Sequence, residues 1–199
     1  MTTPKLLFLA GSTRTGSFNA QLAEAAARIA ESEGTAEVTR IDLADYELPI
    51  YNGDLESSEG LPEAARQLKQ RFRDHHGFLI ASPEYNSTLA PVLVNALHWI
   101  SRPASSDEPP LSAFQGKVAA LTATSPGGLG GLRGLVPLRM MLSNIGVQVL
   151  PNQLAVPGAM KAFGDSGQLV DDNQQQALAT IVRELIRVAE QIGKTDQPS

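Results

Sequence analysis

The sequence predicts an α/β fold in which a doubly wound, five-stranded parallel sheet carries helices on both faces. Three observations predict it. Short, near-continuous apolar runs recur along the chain, and each is followed by a longer stretch with apolar residues at helical spacing. The 199 residues suit one such domain, spanning 1–199 with a core of about residues 5–193. Strands that are apolar throughout, rather than alternating, are buried on both faces and need helices above and below.

The elements follow in order. Residues 6–10 (LLFLA) read as a buried strand closed by Gly11. Leu22, Ala25, Ala26, Ile29 and Ala30 then repeat at helical spacing as far as Gly34, a helix-ending glycine. Residues 38–43 form a second strand. Leu61, Ala64, Ala65, Leu68 and Phe72 mark a second amphipathic helix, with Pro62 accommodated in its first turn. Gly77 opens a third apolar run at 78–81, stopped by Ser82 and Pro83, and a helix over 91–101 turns Val92, Leu93, Ala96, Leu97 and Ile100 inward. A fourth strand at 118–122 precedes a helix at 132–145. A fifth strand at 147–150 precedes the last helix, 171–193, with Leu178, Ile181, Val182, Leu185, Val188 and Ile192 on one side. Five βα pairs in succession point to the flavodoxin-like version of the fold, with strand order 2-1-3-4-5. Three loops interrupt the pattern, at 44–60, 102–116 and 151–170. The middle one carries Pro103, Pro109 and Pro110 and reads as a mobile surface segment.

Composition excludes several kinds of chemistry. There is no cysteine, hence no disulfide, thiolate metal site or cysteine nucleophile. The three histidines, His75, His76 and His98, form no zinc-like cluster, so no metal is expected. His75 and His76 close the second helix and are expected on the surface, facing its dipole. His98 and Trp99 read as structural or interface residues. A net charge of -5 gives no encouragement to a nucleic-acid partner. The first apolar run is too short for a signal peptide, and none is long enough for a membrane span, so a cytoplasmic protein is expected.

In a doubly wound sheet, ligands sit beyond the carboxyl ends of the strands, where the strand order reverses. The loops after strands 1, 3 and 4 should therefore converge, and all three are unusual. The first, residues 11–19 (GSTRTGSFN), enters a helix N-terminus, whose free N–H groups and dipole favour an anion. Ser12, Ser17 and Asn19 add short donors. Arg14 adds a fixed cation suited to phosphate, which a mere helix cap does not require. The loop ends in no Gly-Lys-Ser/Thr and lacks Gly-x-Gly-x-x-Gly spacing, so it is neither a Walker A nor a Rossmann loop. The second loop, 82–88 (SPEYNST), offers an aromatic surface at Tyr85 and an amide at Asn86 for a flat heterocycle. Its Asn-Ser-Thr also matches a glycosylation acceptor, read as accidental without a secretion signal. The third loop, 124–131 (TSPGGLGG), has glycines that let the backbone approach a ligand edge closely.

These residues resemble the NADPH-dependent FMN reductases, a flavodoxin-like family that includes quinone, chromate and azo-compound reductases. The family pattern Gly-Ser-x-Arg-x-x-Ser-x-Asn is met at every fixed position of 11–19. Its Pro-Glu-Tyr-Asn box stands at 83–86, and its Ser-Pro-Gly-Gly-x-Gly-Gly loop at 125–131. The likeness runs from about residue 5 to 190. It implies that Ser12, Arg14, Ser17 and Asn19 bind the FMN phosphate, flanked by Gly11 and Phe18. It implies that Pro83, Glu84, Tyr85 and Asn86 run along the isoalloxazine, mostly through backbone, and that Ser125, Pro126, Gly127 and Gly128 approach its pyrimidine edge. The sequence departs from the family at Val94 and His98, where relatives often carry lysine and aspartate near a subunit interface.

The resemblance implies an enzyme whose chemistry resides in the flavin, with no catalytic side chain of its own. NADPH or NADH would be the co-substrate, and electrons would pass by a ping-pong route to a small quinone, azo, metal-ion or free-flavin acceptor. A homodimer or homotetramer is expected, with no membrane or nucleic-acid partner. Two alternatives are an electron carrier of the flavodoxin type, disfavoured by Arg14 and the modest charge, and a flavin-free binding domain.

Overall fold

Apolar side chains on both sides of every central strand force the sheet between two helical layers. The structure, a computed structural model, describes residues 3–195. Its five strands are β1 (Lys5–Ala10), β2 (Glu37–Ile41), β3 (Gly77–Ala81), β4 (Val118–Thr124) and β5 (Gln148–Val156). They pair in parallel in the order 2-1-3-4-5, as the flavodoxin-like reading requires. Alternation within each strand builds two cores. Leu6, Phe8, Leu79, Ala81, Val118 and Ala120 face α1 (Phe18–Glu33) and α6 (Asp172–Thr195). Leu7, Leu9, Phe78, Ile80, Ala119 and Leu121 face the other way. They meet α3 (Glu63–Arg73), α4 (Pro91–Ser101) and α5 (Leu132–Asn144). Among the described residues, no helix is long and apolar enough to cross a membrane.

Each of the three long loops holds more structure than its sequence suggests. Strand β2 stops at Ile41, because Asp42 turns its carboxylate onto the Ala44 N–H at 2.9 Å and starts a 3-10 turn, Leu43–Asp45. The 44–60 segment also contains a short helix, α2 (Gly53–Glu59), capped by Asn52. Two side chains of α4 pin this segment. Asn95 accepts from Tyr51 N–H at 2.8 Å and donates to Pro49 O at 2.9 Å, while the Trp99 indole N–H donates to Pro49 O at 2.7 Å. The reading of Trp99 as a core residue is correct, since it is fully buried.

The 102–116 segment, largely exposed, is anchored at Glu108 and at Ala113 and Phe114. Glu108 reaches inward to Lys69 on α3, Nζ to Oε1 at 2.6 Å, with only 3% and 5% of the two side chains exposed. Ala113 and Phe114 plug into the core beside Phe72. Strand β5 continues through Pro151 and Asn152 to Val156, where the sequence suggested a loop after residue 150. The register shows how. Ala119 pairs with Val149 and Leu121 with Gln153, so β5 carries two extra residues in a bulge. Arg139 of α5 satisfies that bulge, donating to Leu150 O at 2.7 Å and to the Gln153 side chain at 3.1 Å. His75 is a further correction. It lies beneath the surface, with Nδ1 2.6 Å from Arg71 O and Nε2 2.7 Å from Thr39 Oγ1.

Candidate functional site

The carboxyl ends of β1, β3 and β4 release three loops into one cleft of about 320 Å³. Its first wall is Ser12, Arg14, Ser17, Phe18 and Asn19; its second is Pro83, Glu84 and Tyr85; its third is Thr124, Ser125 and Pro126. Loops 82–88 and 11–19 start in register, because Gly11 N–H continues the sheet by donating to Ala81 O at 2.9 Å.

The first wall is built for an anion. Ser17 is the N-cap of α1, accepting from Ala20 N–H at 3.4 Å, and Ser12 Oγ accepts from Arg14 N–H at 3.3 Å. Both hydroxyls are buried with their protons free to turn toward the cleft. Arg14 is exposed and curls over its own loop, donating to Gly16 O at 2.9 Å and Thr15 O at 3.3 Å, with its guanidinium 5.4 Å from the Phe18 ring. Among the described residues no carboxylate pairs with it. A cation without an acid, beside capping hydroxyls at the N-terminus of a 16-residue helix, is the chemistry a phosphate monoester requires. A second hollow of about 460 Å³ shares Arg14 and Ser17 with this cleft and extends to Glu24, itself paired with Arg28 and Arg40, and to Asp42.

Two of the cleft-lining residues also act as braces. Asn19 is 4% exposed; its Nδ2 donates to Thr124 O at 2.9 Å, and its Oδ1 accepts from Thr124 N–H at 3.0 Å. It therefore ties the first wall to the third. Glu84 buries its carboxylate against the first turn of α5, accepting from Arg133 N–H at 2.9 Å and Gly134 N–H at 3.2 Å through Oε2 and from Arg133 Nε at 2.8 Å through Oε1. It ties the second wall to the helix that follows the third. Burial would raise the Glu84 pKa, but the Arg133 and Gly134 donors outweigh it and hold the carboxyl below its usual range.

The glycines divide by role. Gly127 and Gly128 are exposed, with room for a side chain: at Gly128 an added Cβ would meet nothing within 4 Å. Gly130 and Gly131 are buried at positive φ, and a Cβ on Gly130 would stand 2.6 Å from the Val156 carbonyl carbon. The first pair is open to solvent, and the second pair folds the loop. Gly11 lies under the cleft rather than on it, where a Cβ would stand 3.0 Å from Leu93. Asn86 sits on an exposed turn beside Tyr85. Thr124, which the sequence reading left out, lines the cleft and closes its floor by donating to Val156 O at 2.8 Å. No His/Asp/Glu cluster suited to a metal occurs among the described residues.

Arg14 and the capping hydroxyls are groups of the kind that would hold the phosphate of FMN. Comparison with known proteins points the same way. Residues 4–161 match the family described as NADPH-dependent FMN reductase. The chain is 36% identical over 191 residues to the NAD(P)H-dependent FMN reductase of Pseudomonas aeruginosa, covering 91% of this chain and 96% of that one. It is 34% identical to a 2-hydroxy-1,4-benzoquinone reductase of a Burkholderia species, covering 89% and 92%. Among solved structures it resembles FerB, a flavoenzyme NAD(P)H:(acceptor) oxidoreductase of Paracoccus denitrificans, with a TM-score of 0.79, 25% identity and coverage of 94% and 98%.

Proposed function

The chain belongs to the NADPH-dependent FMN reductase family, and from that premise we propose that it holds FMN in the three-walled cleft and passes electrons from a nicotinamide dinucleotide to a small quinone-type acceptor. The observation that carries this reading is Arg14, a cation with no acid partner among the described residues, on the wall of a cleft whose other sides are Pro83 to Tyr85 and Thr124 to Pro126. When bound, FMN supplies the two-electron redox chemistry. The protein positions and surrounds it. Arg14, Ser12, Ser17 and the free N–H groups of α1 hold the phosphate. The backbone from Pro83 to Asn86, with the Tyr85 ring and the Asn86 amide, runs along the isoalloxazine. Ser125, Gly127 and Gly128 present backbone donors to its pyrimidine edge, where they stabilise negative charge on the reduced ring.

One open face serves dinucleotide and acceptor in turn, which makes the kinetics ping-pong. The similarity to a benzoquinone reductase supports a quinone; azo compounds, oxidised metal ions and free flavin suit the same open face. The working form in this reading is a cytoplasmic homo-oligomer.

The test is FMN titration of the apoprotein, then anaerobic addition of NADPH or NADH and an acceptor series. Bleaching of the flavin band and parallel double-reciprocal lines are expected. Arg14→Ala should weaken FMN binding by roughly tenfold to a hundredfold with melting temperature unchanged, since Arg14 bonds only to carbonyls of its own loop. An apoprotein that refuses FMN would refute the reading. Flavin that binds but stays oxidised under NADPH would make the chain a carrier instead.

A further inference from the structure

The second wall of the cleft contains a strained turn. Tyr85 N–H donates to Thr88 O at 3.1 Å and Thr88 N–H to Tyr85 O at 3.0 Å, which closes a two-residue hairpin. Its central residues, Asn86 and Ser87, lie at φ 51° and 66°. Asparagine tolerates that region, but the Cβ of serine crowds the backbone there. Positive φ at both central residues is the ordinary geometry of such a hairpin, but nothing within the turn ties it to α5.

The residue before the turn does. The Glu84 side chain is only 8% exposed, and both its oxygens are engaged by α5. Oε2 receives Arg133 N–H and Gly134 N–H, and Oε1 receives Arg133 Nε and contacts Arg133 Nη2. A carboxylate offers about four lone-pair sites, so none is left for a ligand. Gly134 permits this approach from the other side, since a Cβ there would stand 3.2 Å from Thr88 O and 3.4 Å from Glu84 Cβ. Helix α5 is thus pressed against both ends of the turn. The N-terminal dipole and Arg133 also cancel the carboxylate charge, which would otherwise repel an anion in the cleft.

We propose that Glu84 is a positioning residue: its side chain clips the strained Tyr85–Thr88 turn to the start of α5 and so sets the opening between the second and third walls, without touching the cofactor. The consequence for FMN rests on the function proposed above; the clip itself does not.

The test uses the full chain with Glu84→Ala, Glu84→Gln, Ser87→Gly and the Glu84→Ala/Ser87→Gly pair. In ligand-free protein, amide exchange at Tyr85 and Thr88 should accelerate roughly tenfold or more in Glu84→Ala, with amides of β3 and β4 unchanged, and Glu84→Gln should fall between. FMN affinity should drop about tenfold or more in Glu84→Ala. Ser87→Gly, which relieves the strain, should leave native affinity unchanged but recover several-fold in the Glu84→Ala background. Unaltered exchange at Tyr85 and Thr88 overturns the proposal whether or not FMN binds. An affinity loss identical with and without Ser87→Gly also overturns it, because Glu84 then acts on the ligand directly. If Glu84→Ala does not fold, Glu84→Gln carries the same comparison. A native chain that refuses FMN sinks the functional reading alone, and the exchange measurement still decides the clip.

Discussion

Lys69 stands in a helix where a lysine reads as solvated surface, yet it is buried and bound to Glu108 and to Arg102 O. Burial alone would raise the Glu108 pKa, but donors from Lys69, Ser112 and the Ala104 N–H outweigh it and bring it down to about 2, against an ordinary 4.5. A carboxyl depressed in the folded state stabilises the fold above its unfolded pKa, and that stability is lost as pH falls from about 4.5 toward 2. The shift corresponds to about 3 kcal/mol. Glu108→Gln should therefore cost roughly that much at neutral pH, since it leaves Lys69 buried and unpaired. It should also flatten the dependence of urea-unfolding stability between those two pH values; an unchanged slope would refute the assignment. His75 works in the same direction. Burial lowers its pKa, so its share of stability is present above the ordinary 6.5 and declines as pH falls below it. Neither residue was legible in the sequence. Their burial depends on Thr39 and Glu108, which only the folded chain brings to them.

At the scale of elements, the apolar runs and helical periods placed all five strands and the long helices, most sharply the three central strands, which are buried on two faces. What stayed hidden was polar. Pro151 and Asn152 read as the end of a strand, and nothing local announces that Arg139 completes the bulge that carries β5 past them. Likewise Asn19 and Glu84 were legible as members of the site but not as its braces, since their partners lie on other loops. The glycine loop was legible as a unit, and the structure divides it. Gly130→Ala should destabilise the protein by at least about 2 kcal/mol, because a positive φ and a backbone clash act together. Gly128→Ala should leave stability within about 0.5 kcal/mol while weakening FMN binding. Thermal unfolding and flavin titration of the two variants separate these effects. Equal loss of stability in both would mean that the loop folds as one unit.

For the molecule as a whole, one surface feature offers a test of the proposed oligomer. Leu132, Val136 and Met140 follow one another at four-residue spacing along α5, 42%, 65% and 70% exposed, and Leu129 extends the stripe toward the cleft rim. A second copy laid on this stripe would place a subunit boundary next to each flavin site. Val136→Glu should then shift the native mass by light scattering toward the monomer, and an unchanged mass would place the contact elsewhere. The sheet has two edges of its own. Its outer strands are β2 and β5, and an open parallel sheet normally exposes a row of unmet amides and carbonyls along each rim, a template for uncontrolled growth. On β5 that row is broken by a proline without an N–H, a two-residue bulge and a guanidinium seated on the carbonyls. On β2 the strand itself carries charge, Glu37 and Arg40, the latter clasped by Glu24 and Glu31. The bulge that lengthened the fifth strand thus doubles as a guard against aggregation, sealing a margin along which another chain could otherwise add as a sixth strand.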